Sequence, residues 1–225
     1  MILDSSKILL LISAYLIGSI PTAVAVGKMF YGIDVREYGS GNAGATNTFR
    51  VLGKKAGVPV LLIDILKGTG AVYMVYFIDT SGFSMSSLVD FQLSLGIAAL
   101  VGHIFPVYVG FRGGKGIATL LGIMIAIHPQ AAGLSALIFV VVFLVSKYVS
   151  LGSMVAAVSF PLIILLVFQT TITSLVLFSL FIAILVLFTH QKNIERLIRR
   201  EENKVQLKLT GAKALDEDDE FDDDE

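Results

Sequence analysis

The chain alternates between long apolar runs and short polar breaks. Most runs have about the 20 residues that a helix needs to cross a hydrocarbon core of ~30 Å. The polar breaks, rather than any periodicity inside the runs, set the ends of each segment. This pattern predicts an all-α integral membrane protein with about seven transmembrane helices and Gly-rich loops. The predicted spans are residues 7–27, 57–78, 88–109, 116–128, 130–146, 150–169 and 172–189.

The fourth of these spans is unusually short. At 1.5 Å per residue, 116–128 reaches only about two-thirds of the way across the core. We therefore predict a half-helix there, with His128 and Pro129 forming the turn into the next span.

Composition agrees with a membrane location and narrows the chemistry. Of the 225 residues, 55% are hydrophobic, and the mean hydropathy is +0.82. The length predicts one membrane domain over residues 1–202. The absence of cysteine excludes disulfides, thiolate metal sites and thiol catalysis. With only three histidines as well, the composition argues against a histidine-built metal site, so no metal is predicted.

The C-terminal segment 203–225 has a different composition. Its last ten residues, DEDDEFDDDE, contain nine of the 18 acidic residues in the chain. Without them the net charge would be +8, since 17 basic residues would face nine acidic ones. Like charges repel, and only Phe221 in this run could be buried, so we predict a disordered, solvated tail.

The basic residues predict the orientation in the membrane. They lie in alternate breaks: 28–56, 110–115, 147–149 and the segment after 189, whereas 79–87, 129 and 170–171 contain none. Loops rich in Lys and Arg face the cytoplasm. We therefore predict that the N-terminus faces outward and that the basic loops and the C-terminus face the cytoplasm.

Two charged residues lie inside the second span. Asp64 and Lys67 are one helical turn apart. Because a charge in lipid is costly, they are expected to pair or to face a polar cavity. Two interpretations remain open: a structural ion pair, or one wall of a functional site.

The first basic break contains a Gly-rich segment at 39–50, GSGNAGATNTFR. Glycine permits positive φ and close approach, so backbone N–H groups can converge on an anion there. Its fit to G-x-G-x-x-G is weak, because no strand precedes it. Within this segment the candidate phosphate-binding residues are Asn42, Gly44 and Asn47, and Arg50 adds a cation.

A second Gly-rich segment spans 102–116 and ends in Gly113-Gly114-Lys115-Gly116. It is not a Walker A loop, since Val109 and Gly116 replace residues that the loop requires. Nevertheless a helix that starts after these four residues would offer free N–H groups and a positive dipole end to a phosphate. Lys115 would add a point charge. A simple helix-start turn is the alternative interpretation.

A third polar segment, 190–197, follows the last span. His190 and Asn193 are three residues apart, so they share a helix face at the membrane surface. No histidine is followed by the Asp of an H-x-x-x-x-D acyltransferase motif, since Tyr108, Gly133 and Glu195 stand there. Taken together, the residues indicate two anions bound by basic, Gly-rich loops beside a helix bundle.

These segments resemble the motifs of the bacterial acyl-phosphate:glycerol-3-phosphate acyltransferases, the PlsY family. The three motifs are G-S-G-N-x-G-A-T-N-x-x-R at 39–50, G-H-x-F-P-V with G-G-K-G at 102–116, and H-x-x-N-I-x-R-L at 190–197. Asp64-x-x-Lys67-Gly68 also matches a family pattern. The resemblance covers about residues 7–202. The family usually has glycine at the position of Arg200, two residues before Glu202.

The resemblance implies transfer of a fatty acyl group from acyl phosphate to the 1-hydroxyl of glycerol 3-phosphate, giving lysophosphatidic acid and phosphate. An acyl phosphate is already activated, so no cofactor is expected, and neither nucleic acid nor an obligate protein partner is implied. A different class remains open, a transporter of a small phosphorylated anion, because basic Gly-rich loops and broken helices also suit that function.

Residue roles follow from the same resemblance. Ser40 and Arg50 are assigned to the reaction centre, and 113–116 to phosphate binding. His190 and Asn193 are assigned to orienting the glycerol substrate. Ser40 has two possible roles: to hydrogen-bond the carbonyl or the hydroxyl substrate, or to attack and form an acyl-enzyme. A nucleophilic serine needs a neighbouring base, and no base adjoins Ser40 in sequence.

Overall fold

The structure, a computed structural model, describes residues 4–205, and within them every regular element is helical. The C-terminal tail predicted over 203–225 lies largely outside this range. The helices are α1 (Ser5–Gly18), α2 (Thr22–Tyr31), α3 (Ala45–Leu52), α4 (Lys54–Tyr73), α5 (Met85–Ile104), α6 (Ile117–Ile127), α7 (Pro129–Ser146), α8 (Val149–Leu162), α9 (Thr173–Thr189) and α10 (Gln191–Ile198). Short 3-10 turns occupy Val35–Glu37, Met74–Phe77 and Val107–Val109, and a π-helical turn, Ile163–Val167, extends α8.

Four continuous helical segments are long and apolar enough to cross a membrane: Lys54–Phe77, Met85–Val109, Pro129–Ser146 and Val149–Val167. Two bent pairs meet the same test, α1 with α2 and α9 with α10. The remaining apolar helix, α6, has 11 residues. The all-helical membrane fold is confirmed, and the predicted count of seven spans is approximate.

The first predicted span is wrong as a single helix. Residues 7–27 divide into α1 and α2, which meet at an angle of 43°. The break falls at 19–21, where Pro21 has no N–H to continue the helical ladder. The bend brings α2 across the bundle toward α4.

The short fourth span is confirmed as a partial helix. His128 follows the last residue of α6, and its ring nitrogen accepts a hydrogen bond from the N–H of Ala131 in the first turn of α7. The His128 ring also packs against Phe168, with 4.5 Å between ring centroids. This turn lies at the end of the bundle opposite the three polar segments.

Small residues allow the closest helix contact, between α4 and α6. A Cβ on Gly122 would lie 2.0 Å from the carbonyl oxygen of Ile65, so no larger residue fits there. The hydroxyl of Thr69 donates to the carbonyl of Gly122 at 2.9 Å. Such small-residue contacts and interhelical hydrogen bonds are the usual means of packing helices in lipid.

The long loop predicted between the first two spans is a compact helical unit. Within 28–56, α3 forms directly after the Gly-rich stretch, and α4 begins at Lys54. A small apolar cluster lies beneath it, formed by Ala23, Val24, Val35, Ala43 and Val60. This cluster fixes the Gly-rich segment onto α2 and α4.

Candidate functional site

The structure brings the three polar segments together at one end of the bundle. We call residues 39–50, 102–116 and 190–197 the first, second and third segments. The first and second are in contact at Gly114, where a Cβ would lie 3.2 Å from the carbonyl oxygen of Ala43. Arg36, which precedes the first segment, also donates from its guanidinium to the carbonyl of Val109 at 2.9 Å. The second and third meet where the Lys115 ammonium donates to Oδ1 of Asn193.

The Asp34 carboxylate holds the Arg36 guanidinium in place beside the second segment. Its guanidinium makes two bonds to the Asp34 carboxylate, at 3.0 and 2.7 Å. These hydrogen bonds hold the pKa of Asp34 well below its usual range. Because both carboxylate oxygens are occupied, the guanidinium can approach Val109 in one orientation only.

In the first segment, Asn47 organises the turn that carries Ser40. The Asn47 side chain is buried, and its amide donates to the carbonyls of Val35 at 2.8 Å and Tyr38 at 3.1 Å. Its oxygen accepts from the backbone N–H of Ser40 at 2.8 Å and from the Ser40 hydroxyl at 3.1 Å. Sequence reasoning placed Asn47 among the phosphate ligands, but its side chain is occupied within the turn.

The other predicted residues of the first segment lie nearer the surface. Ser40 and Arg50 are exposed, while Asn42 and Gly44 are partly buried and adjacent to each other. Gly39 has φ +62°, in the left-handed region that favours glycine, and a Cβ there would lie 2.4 Å from the Asn47 oxygen. Glycine at this position therefore permits the turn that presents Ser40.

In the second segment, Gly113-Gly114-Lys115-Gly116 leads directly into α6, as predicted. We call these four residues the phosphate loop. Gly116 is the N-cap of α6, with φ 82°. The helix lacks a side-chain cap, so its first N–H groups and positive dipole end are free to bind an anion.

Burial lowers the pKa of Lys115 to about 8, and the nearby positive charges of Arg196 and Arg50 act in the same direction. The negative charge of Glu202 partly opposes this shift. The charge of Arg50, from the first segment, therefore acts on Lys115. The site therefore has three cations and one carboxylate around the phosphate loop.

In the third segment, His190 and Asn193 are both buried, at 3% and 8% exposure. The Nδ1 atom of His190 lies 2.8 Å from the carbonyl of Val186, so in the neutral ring Nδ1 carries the proton. Nε2 then has a free lone pair, which can accept a hydrogen bond from a hydroxyl.

Glu202 is a residue of the site that sequence reasoning missed. Its carboxylate accepts hydrogen bonds from Ser150 at 2.8 Å, Asn193 at 2.6 Å and Arg196 at 2.7 Å. Burial would raise the pKa of Glu202, but these three hydrogen bonds outweigh burial and hold it below its usual value. Its signal in the sequence was its place two residues after Arg200, just beyond the third segment.

The Glu202 contact fixes the Asn193 amide. Because the Asn193 nitrogen donates to Glu202, its oxygen must face Lys115. A chain of contacts thus runs from Glu202 through Asn193 to the phosphate loop. Beyond it, the N–H of Val205 donates to the carbonyl of Lys147 at 3.0 Å, which fastens the end of the described chain to the turn before α8.

Comparison with known proteins identifies the family. A family profile described as glycerol-3-phosphate acyltransferase matches residues 8–200. Glycerol-3-phosphate acyltransferase of Chlorobaculum tepidum is 41% identical over 220 residues, covering 87% of this chain and 95% of the relative. The enzyme of the same name from Endomicrobium trichonymphae is 45% identical over 201 residues, covering 89% and 96%.

Two crystal structures of PlsY, an integral membrane glycerol 3-phosphate acyltransferase, have the same fold. The glycerol 3-phosphate form has a TM-score of 0.80 at 37% identity, and the lysophosphatidic acid form has 0.77 at 38%. Each comparison covers 90% of this chain and 96% of the other. The chain belongs to the glycerol-3-phosphate acyltransferase family.

Proposed function

We propose that this protein transfers a fatty acyl group from acyl phosphate to the 1-hydroxyl of glycerol 3-phosphate. The hydroxyl oxygen attacks the acyl carbonyl carbon, and the bond from that carbon to the phosphate oxygen breaks. Lysophosphatidic acid and inorganic phosphate leave. The observation that carries the proposal is the meeting of the three polar segments, in which Lys115 contacts Asn193 and is influenced by the charge of Arg50.

Two phosphorylated substrates need two sets of cationic contacts. The uncapped N–H groups in the first turn of α6 and the Lys115 ammonium suit one phosphate, and the guanidinium of Arg50 suits bidentate contact with another. We assign Gly113, Gly114, Lys115 and Gly116 to phosphate binding, together with Asn42 and Gly44. Because charge develops on the carbonyl and on the leaving phosphate, these groups also stabilise the transition state.

Ser40 is assigned to hydrogen bonding rather than to nucleophilic attack. Its hydroxyl donates to the amide oxygen of Asn47, and an amide oxygen is too weak a base to activate a serine. Asn47 acts by positioning Ser40. In direct transfer, the proton of the glycerol hydroxyl passes to an oxygen of a substrate phosphate, so no protein base is required.

His190 and Asn193 orient the glycerol substrate. The free Nε2 of His190 can accept a hydrogen bond from a glycerol hydroxyl, and Asn193 holds the Lys115 ammonium in place. Holding both substrates in a reactive geometry supplies much of the rate enhancement when the donor is already activated.

The site suits a cytoplasmic location in a bacterial inner membrane. The basic residues Lys54, Lys55, Arg112, Lys192 and Arg199 lie at the same end of the bundle as the three segments. This end would face the cytoplasm, where glycerol 3-phosphate is polar and dissolved while the acyl chain stays in lipid. The N-terminus, at the start of α1, would then be outside.

Donor identity is testable with the purified protein in detergent micelles. Given palmitoyl phosphate and glycerol 3-phosphate, it should release lysophosphatidic acid and phosphate in equal amounts, and palmitoyl-CoA should not replace the donor. Product formed from palmitoyl-CoA alone would contradict the proposed donor. Substrate uptake into sealed vesicles without any product would instead indicate a transporter.

Intact-mass analysis then separates the two roles of Ser40. Mixed with palmitoyl phosphate alone, the protein should keep its unmodified mass. An acyl adduct on Ser40 that forms and decays as fast as turnover would overturn direct transfer.

A further inference from the structure

A buried polar cluster lies directly beneath the phosphate loop. It is formed by side chains from four helices, and we call it the Asp64 cluster. The Asp64 carboxylate accepts from the Thr22 hydroxyl at 3.0 Å and pairs with the Lys67 ammonium at 2.8 Å. His103 Nδ1 lies 3.8 Å from the same carboxylate oxygen and 3.1 Å from the hydroxyl of Thr119. None of these side chains has a role in the reaction described above.

The charges of this cluster are deeply buried. The side chains of Asp64 and Lys67 are only 2% and 4% exposed. Lys67 also donates to the carbonyl of Ile20 at 3.0 Å, at the break between α1 and α2. A buried ion pair adds little net stability compared with apolar packing of the same volume. A contribution to the stability of the fold therefore does not by itself explain why charged residues occupy this position.

His103 connects the cluster to the phosphate loop through its backbone and its ring. Its carbonyl accepts from the N–H of Gly114 at 3.2 Å, and the next carbonyl, of Ile104, accepts from Gly113 at 3.1 Å. A Cβ on Gly114 would lie 2.2 Å from the ring nitrogen Nε2 of His103. The ring and the loop backbone are thus in direct contact, and one cannot move without the other.

The space between the cluster and the loop is too small for a substrate. Asp64, Lys67 and His103 line a cavity of about 10 Å³ together with Gly113 and Gly114. This volume is at the lower limit for one water molecule. The cluster therefore supports the loop from below rather than forming part of a binding pocket.

We propose that the Asp64 cluster is a positioning network for the phosphate loop, acting through the His103 ring. Asp64 and Thr119 orient the ring, and the ring fixes the backbone of Gly114, next to Lys115. The inference rests on the proposed assignment of the loop to substrate phosphate. A purely structural ion pair would affect the stability of the bundle and leave substrate binding by the folded protein unchanged.

The direct contact between ring and loop can be tested by a double-mutant cycle. Gly114→Ala should weaken glycerol 3-phosphate binding roughly tenfold, because the new methyl group displaces the ring or the loop. His103→Ala removes the ring and makes room for that methyl group. The double variant should therefore bind glycerol 3-phosphate more tightly than expected from multiplying the affinity losses of the two single variants. If the loss in the double variant equals that product, the proposal is overturned.

The ion pair is tested by a single substitution and a matched control. Asp64→Asn should raise the KM for glycerol 3-phosphate by roughly three- to tenfold and change kcat little. The control is Asp90→Asn, because the Asp90 carboxylate is exposed and lies at the opposite end of α5 from His103. The thermal midpoint of unfolding of each variant shows whether a change in KM comes from loss of the folded structure. A variant Asp64→Asn with lowered stability but an unchanged KM would show a structural role only and overturn the proposal.

Binding of radiolabelled glycerol 3-phosphate, measured by equilibrium dialysis, separates this inference from the donor proposal. This measurement needs no acyl donor. If the wild-type protein binds glycerol 3-phosphate but does not use acyl phosphate, the donor proposal fails, and the double-mutant cycle of Gly114 and His103 can still be interpreted. Wild-type protein that bound no glycerol 3-phosphate would overturn both the proposed site and this inference.

Discussion

The ammonium group of Lys115 donates a hydrogen bond to the side-chain oxygen of Asn193, 78 residues further along the chain. This contact joins the phosphate loop before α6 to the helix after the last span. It also places a cation of lowered pKa beside a free helix N-terminus. Several consequences of this arrangement are measurable.

The first concerns pH. Burial lowers the pKa of Lys115 to about 8, so the free enzyme loses this positive charge as the pH rises through that value. We expect kcat/KM for glycerol 3-phosphate to decline above about pH 8, since the neutral amine attracts phosphate less. Lys115→Arg should move the decline to higher pH, because arginine stays charged. The same decline in wild type and Lys115→Arg would show that another group is responsible.

The second concerns Glu202. Glu202→Gln removes the charge that Arg196 contacts and alters the orientation of Asn193. We expect kcat/KM to fall at least roughly tenfold, because a hydrogen bond to a charged group contributes about 1.5–3 kcal/mol. Glu201→Gln is the matched control, since Glu201 is exposed. Equal activity of the two variants would exclude a positioning role for Glu202.

The third concerns Arg200, where the family usually has glycine. Its backbone has φ 60°, the left-handed region, which is strained for a residue with a Cβ. Arg200→Gly should therefore raise the free energy of unfolding by about 0.5–1 kcal/mol. Lys192→Gly, inside the helical part of α10, should lower it by about 1 kcal/mol. Thermal midpoints that shift in the same direction for both would contradict this interpretation.

The fourth concerns orientation. The sequence has no cysteine, so single cysteines can be labelled without background. We expect Lys54→Cys and Arg112→Cys to react with a membrane-impermeant maleimide only when the cytoplasmic side is accessible. Ser81→Cys, at the other end of the bundle, should react only from outside. Labelling of position 54 from outside would reverse the proposed topology.

Hydropathy was enough to predict the all-helical membrane fold and the short fourth span, because the length of each apolar run is set by the bilayer. The three motifs indicated the segments that meet at the site. The break at Pro21 was missed because the flanking sequence is apolar on both sides, although a proline within an apolar run is itself a signal for a helix break.

The residues that position the site were the least predictable. Glu202 has partners six, nine and 52 residues away, so its hydrogen bonds could not be predicted from local spacing. The sequence indicated Asn47 as a phosphate ligand because it lies in a Gly-rich segment, but its side-chain hydrogen bonds are made within the turn. For Asp64 and Lys67 the sequence allowed an ion pair or a site wall, and the structure has an ion pair that contacts the phosphate loop through His103.

The central claim is that the three segments form one catalytic site for acyl transfer. Its most direct test is the rate of lysophosphatidic acid formation from palmitoyl phosphate by Ser40→Ala, Arg50→Ala and His190→Ala, each with a thermal midpoint near that of wild type. We predict that kcat falls at least roughly a hundredfold for Ser40→Ala, the scale of losing a hydrogen bond made to the reacting group. We also predict that Arg50→Ala and His190→Ala lose activity, while Ser81→Ala, at the opposite end of the bundle, keeps it. Near-full activity in all three site variants, in folded protein, would contradict the site.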